Sequence, residues 1–217
     1  MLSLAEENYL KAIYHLSEDG TKDVLTNALA DSMQTKAASV TDMIKKLSSK
    51  KFISYKKYYG VNVTAKGKSQ ALQVIRKHRL WETFLVQKLD FTWDEVHEVA
   101  EQLEHIKSPR LIEKLDEFLG YPATDPHGDP IPDGNGKIKT KPHLPLDQLS
   151  EGYRGIIVAV KDSDSDLLKY LDRIGAIPGK KIQLISKEAY DNSMEVILDN
   201  HKIFISKEVS KNILVTE

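Results

Sequence analysis

The chain contains no cysteine. Disulfides and thiolate metal sites are therefore excluded, and a reducing compartment is in keeping with that lack. No stretch approaches the ~18–20 consecutive apolar residues that a membrane helix needs. The opening MLSLAEENYLKAIYHLSEDG mixes charge with apolar residues at helical spacing and does not make a signal peptide. A cytoplasmic protein without a membrane partner is the expectation. Glycine-rich nucleotide motifs are also missing, as are an obvious nucleophile and the HExxH pattern of metallopeptidases. No organic cofactor is implied, and enzyme chemistry has little to stand on.

What is present is a 217-residue chain, 41% hydrophobic, long enough for two or three small domains. The net charge of -1 is unevenly spread. Residues 1–72 hold 11 Lys plus Arg against 7 Asp plus Glu, whereas residues 73–149 hold 10 against 14. A basic front end joined to an acidic, histidine-containing middle suits a polyanion at one end and cations at the other.

Apolar positions Leu4, Tyr9, Leu10, Ile13, Tyr14 and Leu16 predict a first amphipathic helix, stopped by Gly20. Thr26 to Met33 predicts a short second helix with Thr26 as its cap, and residues 36–49 a third with Val40, Ile44 and Leu47 on one face. Lys51 to Tyr59 turns extended, Gly60 fits a tight turn, and Val61 to Val63 resumes the strand. This order suggests a winged helix-turn-helix. Thr35, Lys36, Ser39, Thr41 and Asp42 are candidate groove-facing residues. Lys45, Lys46, Lys50, Lys51, Lys56 and Lys57 are candidate phosphate contacts. The same lysines would also serve as an ordinary solvated face.

Residues 67–89 predict one long helix with a broad apolar surface that suits a dimer interface. Two shorter helices follow, the second with Pro109 in its first turn. YPATDPHGDPIPDGNGK then breaks the helical pattern and leads into a linker. From Tyr153 onward, short extended runs interrupted by a helix over 166–174 predict a small β-rich domain, a partly open barrel. The fold class expected is mainly α with a β-rich tail. Its parts are a DNA-binding head over 1–72, a helical metal-binding and dimerisation domain over 73–142, a linker over 143–151 and the barrel over 152–217.

The acidic middle carries the chemistry. His78 and Glu82 lie at i and i+4; His97, Glu101, Glu104 and His105 lie at i, i+4, i+7 and i+8. Each set shares one helical face. Converging, these nitrogen and carboxylate donors suit manganese or ferrous iron and would also take zinc or cobalt. Such spacing is equally common on solvated helices. Asp125 and His127, on either side of Pro126, form a further pair in ordinary turn vocabulary. Asp162, Asp164 and Asp166 open like a calcium loop, but position 173 is Arg rather than the required glutamate, which leaves helix capping by Asp164 or Ser165.

These stretches together resemble the diphtheria toxin repressor and manganese transport regulator family. The resemblance rests on EENYLKAIYHL, ASVTDMIKKL, GVNVTAKGK, RKHRLWETFLV, DEVHEVAEQLEH and DPHGDPIP, and covers nearly the whole chain. It implies a homodimer that binds double-stranded operator DNA when loaded with a divalent metal and represses metal-uptake genes. Glu104 and His105 would be primary ligands with Glu101, a carboxylate where iron-responsive members carry cysteine, which favours manganese over iron. Asn8 takes the position of the N-terminal ligand, and Lys11 replaces a glutamate of some two-metal regulators. A second site resembles His78, Glu82 and His97. Where the tail takes part, Asp125 and His127 join it with an acidic residue such as Asp162, although Ser163, Asp164 and Asp166 fit other registers. The resemblance also implies a small Src-homology-like barrel for the tail.

Overall fold

The computed structural model describes residues 2–56, 58–140, 142–162 and 164–216. The chain divides into two compact units. The first comprises Met1–His78, Leu103–Lys107 and Pro132–Lys137; the second comprises Arg79–Gln102, Ser108–Ile131 and Ile138–Glu217.

The first unit opens with helix α1 (Leu4–Leu16), fixed by a reciprocal cap. Ser3 Oγ accepts the Glu6 N–H and the Glu6 carboxylate accepts the Ser3 N–H. Helix α2 (Thr26–Ser32) has Leu25, not Thr26, at its cap position, and no side chain caps it. Thr26 already lies inside the first turn, where its hydroxyl cannot perform that role. Helix α3 (Ala37–Ser49) buries Val40, Ile44 and Leu47, the stripe that a 3.6-residue period dictates. Strands β1 (Ile53–Lys56) and β2 (Gly60–Val63) pair antiparallel as a wing, with Lys56 opposite Gly60. Gly60 is obligatory: φ is +112°, and a Cβ there would lie 2.2 Å from the Val24 carbonyl oxygen. Helix α4 (Ala65–Leu89) starts after Thr64, whose Oγ1 accepts the Gly67 N–H. Helix, turn, helix and wing are thus as the sequence pattern predicts.

In the second unit, helix α5 (Val96–Leu103) is followed by helix α6 (Pro109–Phe118), with Pro109 in its first turn and Ser108 capping Leu111. The proline-rich strap around Asp125 docks on strand β4 (Arg154–Val160), where the Val160 N–H donates to the His127 carbonyl. A Cβ at Gly128 would lie 1.9 Å from the Val158 oxygen, so only glycine allows this approach.

Ahead of β4, the segment expected to be a linker forms strand β3 (Leu144–Pro145) and a 3-10 turn (Leu146–Gln148), and Leu146 is completely buried. Helix α7 (Ser165–Ile174) follows β4, capped by Asp164 and terminated by Gly175 in the left-handed region. Strands β5 (Lys181–Lys187), β6 (Met194–Leu198) and β7 (His201–Ile205), the short helix α8 (Lys207–Ser210) and strand β8 (Ile213–Thr216) complete the unit.

The expected barrel is not formed. The strands make one open antiparallel sheet in the order β3-β8-β4-β5-β6-β7, and among the described residues its edge strands β3 and β7 are not paired with each other. Alternation of apolar residues specifies which face of each strand is buried, not whether the edges meet. Here one edge has only two residues, and Pro145 brings no N–H to a ladder. Bulges at Ile157/Ala159 and Leu184/Ser186 curve the sheet over a core that includes Ile157, Leu168, Leu171, Leu184, Met194 and Val196.

Candidate metal centres and nucleic-acid interface

In the first unit, α1 and the segment 103–107 bring together Glu7, Lys11, Glu104 and His105, with His78 of α4. His105 Nδ1 is 2.7 Å from Glu7 Oε2. A carboxylate only accepts, so Nδ1 carries the proton and, in the neutral ring, Nε2 presents its lone pair. That Nε2 is buried without a hydrogen-bond partner, and lies 3.6 Å from Glu104 Oε1. Asn8 Oδ1 is likewise buried and makes no hydrogen bond. A buried acceptor with no donor is costly unless something positive meets it, and His105 Nε2 stands close to the Glu104 carboxylate. The chemistry of the donors fits a divalent ion.

Glu104 is already engaged. Lys11 Nζ donates to both carboxylate oxygens at 2.8 Å, and His78 Nδ1 is 2.6 Å from Oε2. The Glu104 side chain is 0% exposed. Burial works to raise its pKa, but the His78 hydrogen bond and the Lys11 charge outweigh it and hold the carboxyl below its ordinary value. Burial lowers the pKa of the neighbouring Lys77, opposed by the charges of Glu7 and Glu104.

In the second unit, Glu82, Asp125 and His127 are all buried and offer ligand atoms within 4.8 Å of one another. His127 Nε2 is 2.7 Å from the Trp93 carbonyl, and the imidazole stacks on the Trp93 ring at 5.8 Å. A carbonyl accepts only, so Nε2 is the protonated nitrogen when the ring is neutral. Nδ1 then faces Glu82 at 3.8 Å and Asp125 at 4.0 Å. Asp125 Oδ1 accepts the N–H groups of His127 and Asp129, and Arg79 approaches its other oxygen at 3.4 Å. Burial, then the charges of Glu82 and Asp129, push the Asp125 carboxyl up to about 7. Burial opposes protonation of His127, but Glu82 and Asp125 raise its pKa above the ordinary value.

His97 is half exposed, with Nδ1 3.5 Å from Glu82 and Nε2 3.7 Å from Glu101. Glu101 thus sits in the second unit and Glu104 in the first. Asp162 is exposed and accepts the Asp164 N–H; it is not one of the buried trio. Ser163 lies outside the described residues. Glu7, Arg79 and Trp93 have no signature in the spacing, because each acts through a partner distant in sequence.

On the head, Thr35, Lys36, Ser39, Thr41 and Asp42 are all exposed along the start of α3. Thr41 Oγ1 donates to the Ala37 carbonyl, and Lys45 pairs with Asp42 at 3.2 Å. Lys46 and Lys50, in contrast, both reach the buried Glu6 of α1. Lys56 and Lys51 are exposed; Lys57 lies outside the described residues.

Known proteins match this arrangement along the chain. Residues 1–61 match the iron dependent repressor N-terminal DNA binding domain, residues 64–133 the iron dependent repressor metal binding and dimerisation domain, and residues 144–217 the FeoA domain. The iron-dependent repressor IdeR of Mycobacterium tuberculosis (strain ATCC 25618 / H37Rv) is 30% identical over 188 residues, 81% of each chain. IdeR of Mycobacterium leprae (strain TN) is 28% identical over 208 residues, 90% of this chain and 89% of that one. A manganese-dependent transcriptional repressor in complex with manganese superposes with a TM-score of 0.88 at 32% identity, covering 97% of this chain and 98% of that one. ScaR with bound Zn2+ gives 0.79 at 34%, covering 98% and 99%. IdeR of T. acidophilum gives 0.77 at 28%, covering 100% and 99%.

Proposed function

The chain belongs to the iron-dependent repressor family, and on that premise we propose that it is a manganese-responsive repressor of metal-uptake genes. Membership makes it a divalent-metal-binding, DNA-binding transcriptional repressor that meets operator DNA as a homodimer, not an enzyme. Among the described residues no helix is long and apolar enough to cross a membrane.

One observation carries the metal reading: His105 Nε2, 3.6 Å from the Glu104 carboxylate, and Asn8 Oδ1 on α1 are both buried and make no hydrogen bond. The set is oxygen and imidazole with no thiolate, which suits manganese or ferrous iron better than softer ions. The manganese-bound relative of TM-score 0.88 supports manganese. The IdeR relatives keep ferrous iron as the second reading.

Asn8 of α1, Glu104 and His105 would hold a divalent cation, and the cation would supply the positive charge this set calls for. The chain's own residues prepare this. Glu7 turns the bare nitrogen of His105 inward. One residue earlier on α1, Glu6 grips Lys46 and Lys50 of α3. Ordering of α1 is therefore passed to α3, whose start bears Thr35, Lys36, Ser39, Thr41 and Asp42, with Lys45, Lys56 and Lys57 as phosphate contacts. Two such helices in a dimer must sit about 34 Å apart to enter successive major grooves. Metal shifts that equilibrium only through tighter binding to the DNA-competent form, about tenfold for each 1.4 kcal/mol of difference. The buried Glu82, Asp125 and His127, with His97 and Asp162, form our second candidate metal site.

The test is a mobility-shift titration on DNA upstream of the host's metal-uptake genes, with Mn2+, Fe2+ under anaerobic conditions, Co2+, Zn2+ or chelator. Manganese should give binding at the lowest concentration. Saturation by iron at lower concentration would favour the second reading, and equal binding under every condition would remove metal gating altogether.

A further inference from the structure

We infer that Lys11 is a tethered counter-ion that competes with the divalent cation for Glu104 and so sets the metal concentration at which the first centre fills. This rests on the metal-centre reading above.

The donors of that centre are unequal. Asn8 Oδ1 and His105 Nε2 are open, whereas both oxygens of Glu104 are taken by one ammonium at 2.8 Å. Glu7, Asn8 and Lys11 stand at i, i+1 and i+4 on α1, so Glu7 and Lys11 share one face, as do Asn8 and Lys11 three apart. A carboxylate as buried as Glu104 is costly without a positive partner. Lys11 provides one from the same helix that offers Asn8 Oδ1.

The ammonium is a compact charge on a flexible four-carbon stem. Its side chain is 14% exposed while Glu104 is 0%, and rotation about the bonds of its stem can move the ammonium without main-chain movement. A divalent ion must displace it before Glu104 can ligate, and afterwards sits near a like charge. Both effects lower affinity. The same lysine stabilises the metal-free form. Removing its charge should therefore tighten metal binding and weaken the metal-free fold together, which a lysine that only packs would not do.

The experiment compares the full chain as wild type, Lys11→Met, Lys11→Gln, Lys11→Arg and His105→Ala. Mn2+ affinity is read by calorimetry at one pH, and thermal unfolding is followed in chelator. Lys11→Met and Lys11→Gln should bind Mn2+ tighter by about tenfold or more and unfold at lower temperature without metal. Lys11→Arg, which keeps the charge, should stay near wild type in both. Lys11→Gln retains a donor to Glu104, so the test survives if Lys11→Met fails to fold. Unchanged or weaker Mn2+ binding in the neutral variants, with binding still lost in His105→Ala, overturns the role of Lys11 alone. Wild-type binding in His105→Ala overturns the metal centre and this inference with it.

Discussion

Glu6 Oε1 on α1 lies 2.5 Å from Lys50 Nζ on α3, and 3.3 Å from Lys46 Nζ. The carboxylate is 1% exposed and also accepts the Ser3 N–H that closes the cap of its own helix. One buried charge thus joins the start of α1 to the end of α3. Glu7 and Asn8, the next two residues, belong to the candidate metal centre, so the Glu6 contacts to α3 and two residues of that candidate share a single turn.

Glu6→Gln should lower stability by about 1.5–3 kcal/mol, the usual worth of hydrogen bonds to a charged group. Burial alone would raise the Glu6 pKa; the hydrogen bonds of Lys50, Ser3 and Lys46 overcome it and hold it at about 2. The folded value lies below the ordinary 4.5, so the contribution is complete above pH 4.5 and disappears as pH falls towards 2. Denaturant unfolding of both proteins should show the gap at pH 7 and its closure near pH 2. A pH-independent gap would assign the loss to packing.

Asn8→Asp should tighten Mn2+ binding, because it places a charged oxygen where a neutral amide oxygen now lies without a hydrogen bond. His105→Ala should abolish metal-dependent DNA binding with helical content retained, since it removes the imidazole donor and its Glu7 hydrogen bond while the apolar core of the helices stays intact. Calorimetry, mobility shift and circular dichroism on the same preparations check both. Weaker binding by Asn8→Asp would mean that Asn8 does not face the cation.

Much of this was legible in the sequence, and the exceptions have physical causes. The stripe of Val40, Ile44 and Leu47 and the long run of α4 report burial directly, because period is a local property. The pair of His97 and Glu101 at i, i+4 is also local, and the structure keeps it. Glu104, three residues on, turns instead to Lys11, 93 positions away. No spacing rule announces that pairing, nor the capture of Lys46 by Glu6. The tautomers of His105 and His127 depend on Glu7 and on the Trp93 carbonyl, which only the fold brings near. The open sheet escaped the sequence reading for a similar reason: edge pairing is a long-range property that strand alternation does not encode.

The second candidate centre should make the metal-free protein less stable as pH rises. The folded Asp125 carboxyl, pushed to about 7 by burial and neighbouring charge, keeps a proton that the unfolded chain loses near 3.8. Its contribution is full below 3.8 and is lost as pH climbs through about 7. His127, also raised, acts in the same direction. Thermal unfolding in chelator between about pH 4 and 8 should show this decline, and Asp125→Asn should flatten it. Added Mn2+ should restore stability most at the upper end, where the carboxylate is ionised. An unchanged slope in Asp125→Asn would move the effect elsewhere.

Lys45→Ala should weaken DNA binding evenly across sequences and reduce the slope of log affinity against log salt by about 0.9 for each phosphate no longer neutralised. Lys45 is the informative choice because its side chain is 72% exposed and it pairs with Asp42, itself 79% exposed. Lys46 and Lys50 are ambiguous: shortening either also strips a partner from buried Glu6, so a DNA defect would mix a missing phosphate partner with a loosened head. Ser39→Ala should behave differently again, costing affinity for operator DNA but not for random duplex, since a groove-facing hydroxyl reads base edges rather than backbone. A Ser39→Ala loss shared equally by both DNAs would place that residue on the phosphates instead.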